Sequence, residues 1–197
     1  LIENGFTNNI LDNFSNCGQD VINKLKIITK KKIIFYKVDI KNKKKLNFIF
    51  KKHNCYAVIH CAGFKAVKES IEKPITYFNN NIGSTLSLLE CMKENKVKNI
   101  IFSSSCTVYG KPDSLPVDED APFKKPESPY GETKQLCEKI LLNDSCNSIS
   151  LRYFNPIGSH KSALIGDCSS DTPSNIVPII TETAIGKRDQ VTIFGND

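Results

Sequence analysis

Apolar residues along this chain follow two rhythms. Short runs rich in β-branched and aromatic residues predict strands over 9–12, 33–39, 56–60, 99–103 and 148–153. Longer amphipathic stretches predict helices over 43–52, with Leu46, Ile49 and Phe50 on one face, over 74–95, carrying Leu86, Leu89 and Met92, and over 130–143. The runs at 56–60 and 99–103 read as buried strands. Strands separated by helices of this length imply right-handed crossovers. The predicted fold class is α/β: a Rossmann-like, doubly wound parallel sheet. From residue 155 to Pro173 the chain turns rich in Gly, Ser and Pro, as loops do, so a domain break is expected after residue 154. Leu1-Ile2-Glu3-Asn4-Gly5 reads as a last helical turn with Gly5 as its left-handed cap, and residues 191–195 read as a strand. Both ends look cut, so the chain is expected to be a truncated piece of something longer.

In an open parallel sheet, ligands bind beyond the carboxyl ends of the strands. Asp12 closes the first strand and is either a turn residue or an acceptor for ribose hydroxyls. A Gly-rich phosphate loop would lie about 20 residues earlier, upstream of residue 1. Asp39-Ile40 closes the second strand and is either a helix N-cap or a contact for an adenine ring. His60-Cys61-Ala62-Gly63-Phe64-Lys65 follows the third, where small residues let a ligand approach the backbone. The most specific signal is a pair of segments. Ser103-Ser104-Ser105-Cys106-Thr107-Val108-Tyr109-Gly110 ends the fourth strand, and Tyr130-Gly131-Glu132-Thr133-Lys134 opens a helix. Tyr130 and Lys134 are four apart and share a helical face. An ammonium beside a phenol is expected to lower the phenol's pKa and make Tyr130 a base, with Ser105 sharing the substrate proton.

Composition narrows the partners. The 197 residues carry 27 basic and 21 acidic side chains, a net charge of +6. Only Arg152 and Arg188 are arginines; the excess is lysine in runs such as 30–32 and 43–45, which reads as solvated faces and not as a nucleic-acid surface. Eight cysteines include no CxxC pair, no His stands at zinc-ligand spacing, and no metal site is expected. Cys55 and Cys61 read as buried free thiols in strand-like surroundings. No run approaches the roughly 20 apolar residues of a membrane span, and the start lacks a signal-peptide pattern. The expected compartment is the cytoplasm.

In these motifs the chain resembles the extended short-chain dehydrogenase/reductase superfamily, most closely its UDP-sugar 4-epimerases. The resemblance runs through Leu11-Asp12-Asn13-Phe14-Ser15-Asn16, His60 to Val67, Glu69-Ser70 and Lys73-Pro74, and Val97-Lys98-Asn99. It continues through Phe102 to Gly110, Ser128-Pro129-Tyr130-Gly131, Leu151-Arg152-Tyr153-Phe154-Asn155-Pro156, and Ile193-Phe194-Gly195-Asn196-Asp197. It implies an NAD-binding domain over 1–154 and the start of a smaller substrate domain over 155–197. It implies NAD as cofactor, held by Asp12, Asn13, Asn16, Asp39, Ile40, Cys61, Ala62, Lys65, Asn80, Tyr130, Lys134 and Tyr153. A UDP-sugar would meet Ser105, Cys106, Thr107, Tyr153, Phe154, Asn155, Asn175, Thr192, Ile193 and Phe194. Tyr130, Lys134 and Ser105 would be catalytic.

The implied reaction interconverts UDP-glucose and UDP-galactose through a transient 4-keto sugar, in an enzyme that pairs as a homodimer when full length. Alternatives are another UDP-sugar (UDP-GlcNAc, a UDP-pentose or UDP-glucuronate) or a non-catalytic NAD-binding regulator. Cys106 and Thr107 stand where sister dehydratases carry an Asp-Glu pair, which argues against dehydration. Cys61, Cys106 and Ser174 depart from the usual family residues. The isolated chain is expected to be inactive.

Overall fold

The computed structural model describes residues 1–166, 175–193 and 195. The expectations for Cys168, Ser174 and Phe194 lie outside them. The chain divides into two compact units, Leu1–Lys37 with Asn155–Asp197 and Val38–Phe154. Every strand pairing is parallel.

In the first unit, β1 (Asn9–Asp12) pairs with β2 (Ile34–Lys37), and α1 (Asp20–Thr29) connects them. The sequence reading did not separate α1 from its surroundings. Lys30 closes it in the left-handed region, φ 53°, with its N–H bonded to the Lys26 carbonyl. The strand predicted over 33–39 is trimmed at both ends. Residues 2–5 form a turn with Gly5 at φ +84°, as the left-handed cap required.

In the second unit, α2 (Lys43–Lys52) falls where predicted, capped by Asn42, whose side chain accepts from the Lys45 N–H at 3.2 Å. Asp39 is therefore not the cap. Its carboxylate accepts from the Lys41 N–H at 2.9 Å and forms a local turn. The sheet order is β3 (Ala57–His60), β4 (Asn99–Ser105), β5 (Asn147–Tyr153). The central strand is the most buried: Ile100 and Phe102 are 1% and 2% exposed, each worth about 1.5–3 kcal/mol of apolar burial. β3 corrects the expectation of a buried strand, since Ala57 and Ile59 are exposed.

The single helix predicted over 74–95 is three pieces. After α3 (Val67–Glu72), which sequence reasoning missed, come α4 (Pro74–Tyr77), a wide π-turn (Phe78–Ile82) and α5 (Gly83–Glu94). Leu88, Leu89 and Met92 of α5 are buried, whereas Leu86 faces outward. Asn95 Nδ2 donates to Asn47 Oδ1 at 2.6 Å and Lys43 pairs with Glu90, joining α5 to α2. α6 (Pro129–Asn143) starts on a Ser128 cap that accepts from the Gly131 N–H at 3.1 Å, with Pro129 at the first helical position.

Returning to the first unit, α7 (Ile176–Ala184) was also unpredicted; its Pro178 is tolerated because it falls in the first turn. Of the strand predicted over 191–195, the described residues 191–193 and 195 are irregular and exposed. The seven described cysteines are free thiols, but only Cys91 and Cys137 are buried, and Cys61 is exposed because it lies past the end of its strand. The lysines at 30–32 and 43–45 are exposed. Among the described residues no helix is long and apolar enough to cross a membrane.

Candidate functional site

The unit Val38–Phe154 brings the serine run and the Tyr-Lys pair together. β4 ends at Ser105, whose hydroxyl accepts from the Thr107 N–H at 3.3 Å and starts a short 3₁₀ turn, Cys106–Tyr109. Gly110 ends that turn at φ +57°, and a Cβ there would meet the Lys125 carbonyl oxygen at 2.4 Å, so only glycine fits. The next element, α6, packs its first turn on the Thr107 backbone: a Cβ on Gly131 would stand 3.2 Å from the Thr107 oxygen. This close approach sets Tyr130 beside Ser105, near enough for the serine hydroxyl to favour the phenolate.

Tyr130, Ser105 and Lys134 are 8%, 8% and 7% exposed. Lys134 Nζ donates to the Ser103 carbonyl at 2.6 Å, and stands 4.7 Å from the Phe102 ring centroid and 5.8 Å from that of Tyr130. Burial holds the Lys134 ammonium below its usual pKa, partly offset by Cys137, Cys61 and Glu138.

The expected lowering of the Tyr130 pKa does not occur in the protein alone. Burial pushes the phenol above its ordinary value; the Ser105 hydroxyl pulls it back, and Cys106 adds to the rise. The physical reason is geometric: the ammonium is aimed at a backbone carbonyl and at ring faces, while the phenolic oxygen has left water.

The other predicted residues fall into groups. Tyr153 is the register partner of Ser105, and the Phe154 ring stacks on Tyr109 at 6.5 Å. Cys61 is near enough to Lys134 for their charges to interact, and Ala62 beside it is also exposed. The Thr107 hydroxyl is buried without a hydrogen-bond partner among the described residues. Asp39 is taken up by its local turn, and Ile40 is half-buried. Lys65 is exposed.

Asn80 is not the hub of its segment. That is Asn81, placed inward by the π-turn and 3% exposed. Its Oδ1 accepts from the Phe64 N–H at 2.8 Å and from Asn80 Nδ2 at 3.3 Å. Its Nδ2 donates to the Phe64 carbonyl at 3.1 Å and to Thr133 Oγ1 at 3.0 Å. Asn81 thus ties the loop after β3 to α6.

In the other unit, Asp12 and Asn13 do what turn residues do, accepting from the Phe14 and Ser15 N–H groups at 2.6 and 3.0 Å. Asn16, Asn155, Asn175, Thr192 and Ile193 are exposed.

The sequence of residues 3–197 matches the model of the NAD dependent epimerase/dehydratase family. The chain belongs to that family. Within the epimerase/dehydratase family, it is 50% identical over 203 residues to a UDP-glucose 4-epimerase of Dictyostelium discoideum, covering 100% of this chain and 58% of that protein. It is 42% identical over 202 residues to the UDP-glucose 4-epimerase of Bacillus subtilis (strain 168), covering 100% of this chain and 59% of that protein. Among solved structures it superposes on a UDP-glucose 4-epimerase from Bifidobacterium longum, in complex with NAD+ and UDP, with a TM-score of 0.94 and 39% identity, over 99% of this chain and 60% of that one. The chain thus spans about three-fifths of the length of these relatives.

Proposed function

We propose that this chain carries the catalytic residues of an enzyme that interconverts UDP-glucose and UDP-galactose by epimerisation at C4. The observation that carries the reading is the buried cluster of Tyr130, Ser105 and Lys134 at the end of β4. The family's NAD fits this chain on three counts. The exposed floor at Cys61 and Ala62 has little side chain to block a flat ring or a ribose. The buried Lys134 ammonium has three N–H donors and spends one on Ser103, leaving two for ribose hydroxyls. The buried Thr107 hydroxyl has no hydrogen-bond partner among the described residues, which costs stability unless a ligand supplies one. We place the NAD-holding part in residues 1–154, with Asp12 and Asp39 toward the adenosine end, and the start of the sugar-nucleotide part in 155–197.

NAD+ bound there would supply a hydride acceptor, and then the donor, at C4 of the sugar. The chain's own residues handle the proton and the geometry. The positive charges of bound NAD+ and of Lys134 would offset the burial that raises the Tyr130 pKa; as phenolate, Tyr130 Oη takes the C4 hydroxyl proton and later returns it, while Ser105 Oγ holds that hydroxyl in line. The 4-keto sugar turns over between the two transfers. Lys134 contributes a fixed positive charge in a site shielded from water, where such a charge acts strongly. The absence of carboxyl groups at Cys106 and Thr107 leaves no acid to expel water from the sugar.

Turnover of UDP-galactose by the whole protein that contains this chain, beside its Tyr130→Phe variant, tests the reading. The expected result is conversion to UDP-glucose with no net use of added NAD+, and turnover about 10²–10⁴-fold slower in the variant. Failure of the unsubstituted protein to convert UDP-galactose overturns it.

A further inference from the structure

Three consecutive residues at the end of β4 are gripped by three residues spaced four apart on α6. Lys134 holds the Ser103 carbonyl, Tyr130 meets the Ser105 hydroxyl, and one turn further along Glu138 Oε1 accepts from Ser104 Oγ. Positions 130, 134 and 138 form one stripe of the helix. The Lys134–Ser103 and Tyr130–Ser105 contacts belong to the site described above; the Glu138–Ser104 contact has no part in the proton chemistry.

Glu138 is 2% exposed, and a carboxylate so buried must be paired. Its partner is Arg152 on β5, the register neighbour of Ser104. Arg152 Nε donates to both carboxylate oxygens at 3.2 Å and Nη2 donates to Oε2 at 2.9 Å. The guanidinium is itself pinned: it faces the Tyr109 and Phe123 rings at 5.0 and 5.1 Å, and Nη1 donates to Tyr109 Oη at 3.1 Å and to the Glu119 carbonyl at 2.8 Å. Two adjacent strands and the catalytic helix therefore converge on one carboxylate. A buried ion pair is weak grounds for stability, but its directional bonds specify one geometry.

We propose that Ser104 and Glu138 are positioning residues for the reaction. Their hydrogen bond, held by Arg152, sets the level of the strand end against α6 and thereby places Ser105 Oγ on the Tyr130 phenol. The inference rests on the reading of Ser105 and Tyr130 above.

Ser104→Ala is the variant of choice, because it removes one hydroxyl and leaves the Glu138–Arg152 pair intact. In the whole NAD-loaded protein, Ser104→Ala is expected to lower kcat for UDP-galactose by about tenfold or more, since displacements of about 1 Å at a reacting centre cost up to 10²-fold. KM should stay within about twofold, as for a loss confined to the transition state. In a Ser105→Ala background the same substitution should change kcat by less than about twofold, because its effect runs through Ser105. A crystal structure of Ser104→Ala should show Ser105 Oγ displaced by about 1 Å relative to Tyr130 Oη when compared with the parent. Unchanged kcat in Ser104→Ala, or an equal loss in both backgrounds, overturns the proposal, the second outcome marking general structural damage. If the unsubstituted protein fails to convert UDP-galactose, the functional reading falls, and the Ser105–Tyr130 distance in the variant crystal still decides this inference.

Discussion

β3 and β4 lie side by side in one parallel sheet, yet they end in opposite ways. β4 ends in buried hydroxyls gripped by side chains of α6. β3 ends in the exposed Cys61 and Ala62, and the loop beyond is tied down through its backbone, at Phe64 by Asn81 and at the Ala66 N–H by the Tyr77 hydroxyl, 3.1 Å. The difference separates two tasks. On the proposed reading, the side chains that react at the β4 end are also those that fix its geometry. Where a large ligand must lie flat, the chain is held by its main-chain atoms and its side chains stay small. Substitutions at the two ends should therefore fail in different ways.

The largest effect is expected at the β4 end. Tyr130→Phe should lower kcat by about 10²–10⁴-fold, the usual worth of a positioned acid–base group, with a melting temperature close to that of the parent by calorimetry. A loss of folding instead would show that the phenol is there for packing. At the β3 end the tether should matter more than the side chains. Asn81→Leu strands the Phe64 N–H and carbonyl and should cost about 2–4 kcal/mol in urea unfolding, from polar groups left unpaired. It should also speed release of bound NAD on dilution.

His60, the last residue of β3, gives a pH signature. It is buried against Thr85 Oγ1 at 3.1 Å, and burial, helped by the Lys134 charge, lowers its pKa from 6.5 to about 4. The fold holds the neutral ring, so this contribution is complete above pH ~6.5 and is lost as the pH falls toward 4, up to about 3 kcal/mol. The urea midpoint should drop over that window, and less so in His60→Gln. The smallest effect is expected for Cys61→Ser, which should leave turnover within about twofold, as exposed substitutions do. A tenfold loss would erase the contrast between the two strand ends.

What the sequence disclosed was the local part. Strand runs and the four-residue spacing of Tyr130 and Lys134 are periodic signals, and both survive in the structure. Glu138 stayed hidden because a glutamate one turn beyond a helical lysine reads as a solvated charge; only the pairing of β4 with β5, which sets Arg152 beside Ser104, makes it a buried one. Asn81 stayed hidden in a run of three asparagines, since which of them turns inward depends on a helical irregularity that no propensity marks. The Tyr130 pKa was misjudged because adjacency on a helix face says nothing of where the ammonium points or how dry the phenol becomes.

The wide turn at Phe78–Ile82 also sets a rule for insertions and deletions. An i→i+5 turn holds more residues than the 3.6 of a regular one. Removing a single residue there could restore an unbroken helix, and local propensity would favour the change. The helix beyond the cut would keep nearly its phase, because the wide turn covers with one extra residue about the arc of a regular turn, but the widening that points Asn81 at Phe64 and Thr133 would be gone. A shortened variant would be the more regular protein and the poorer catalyst.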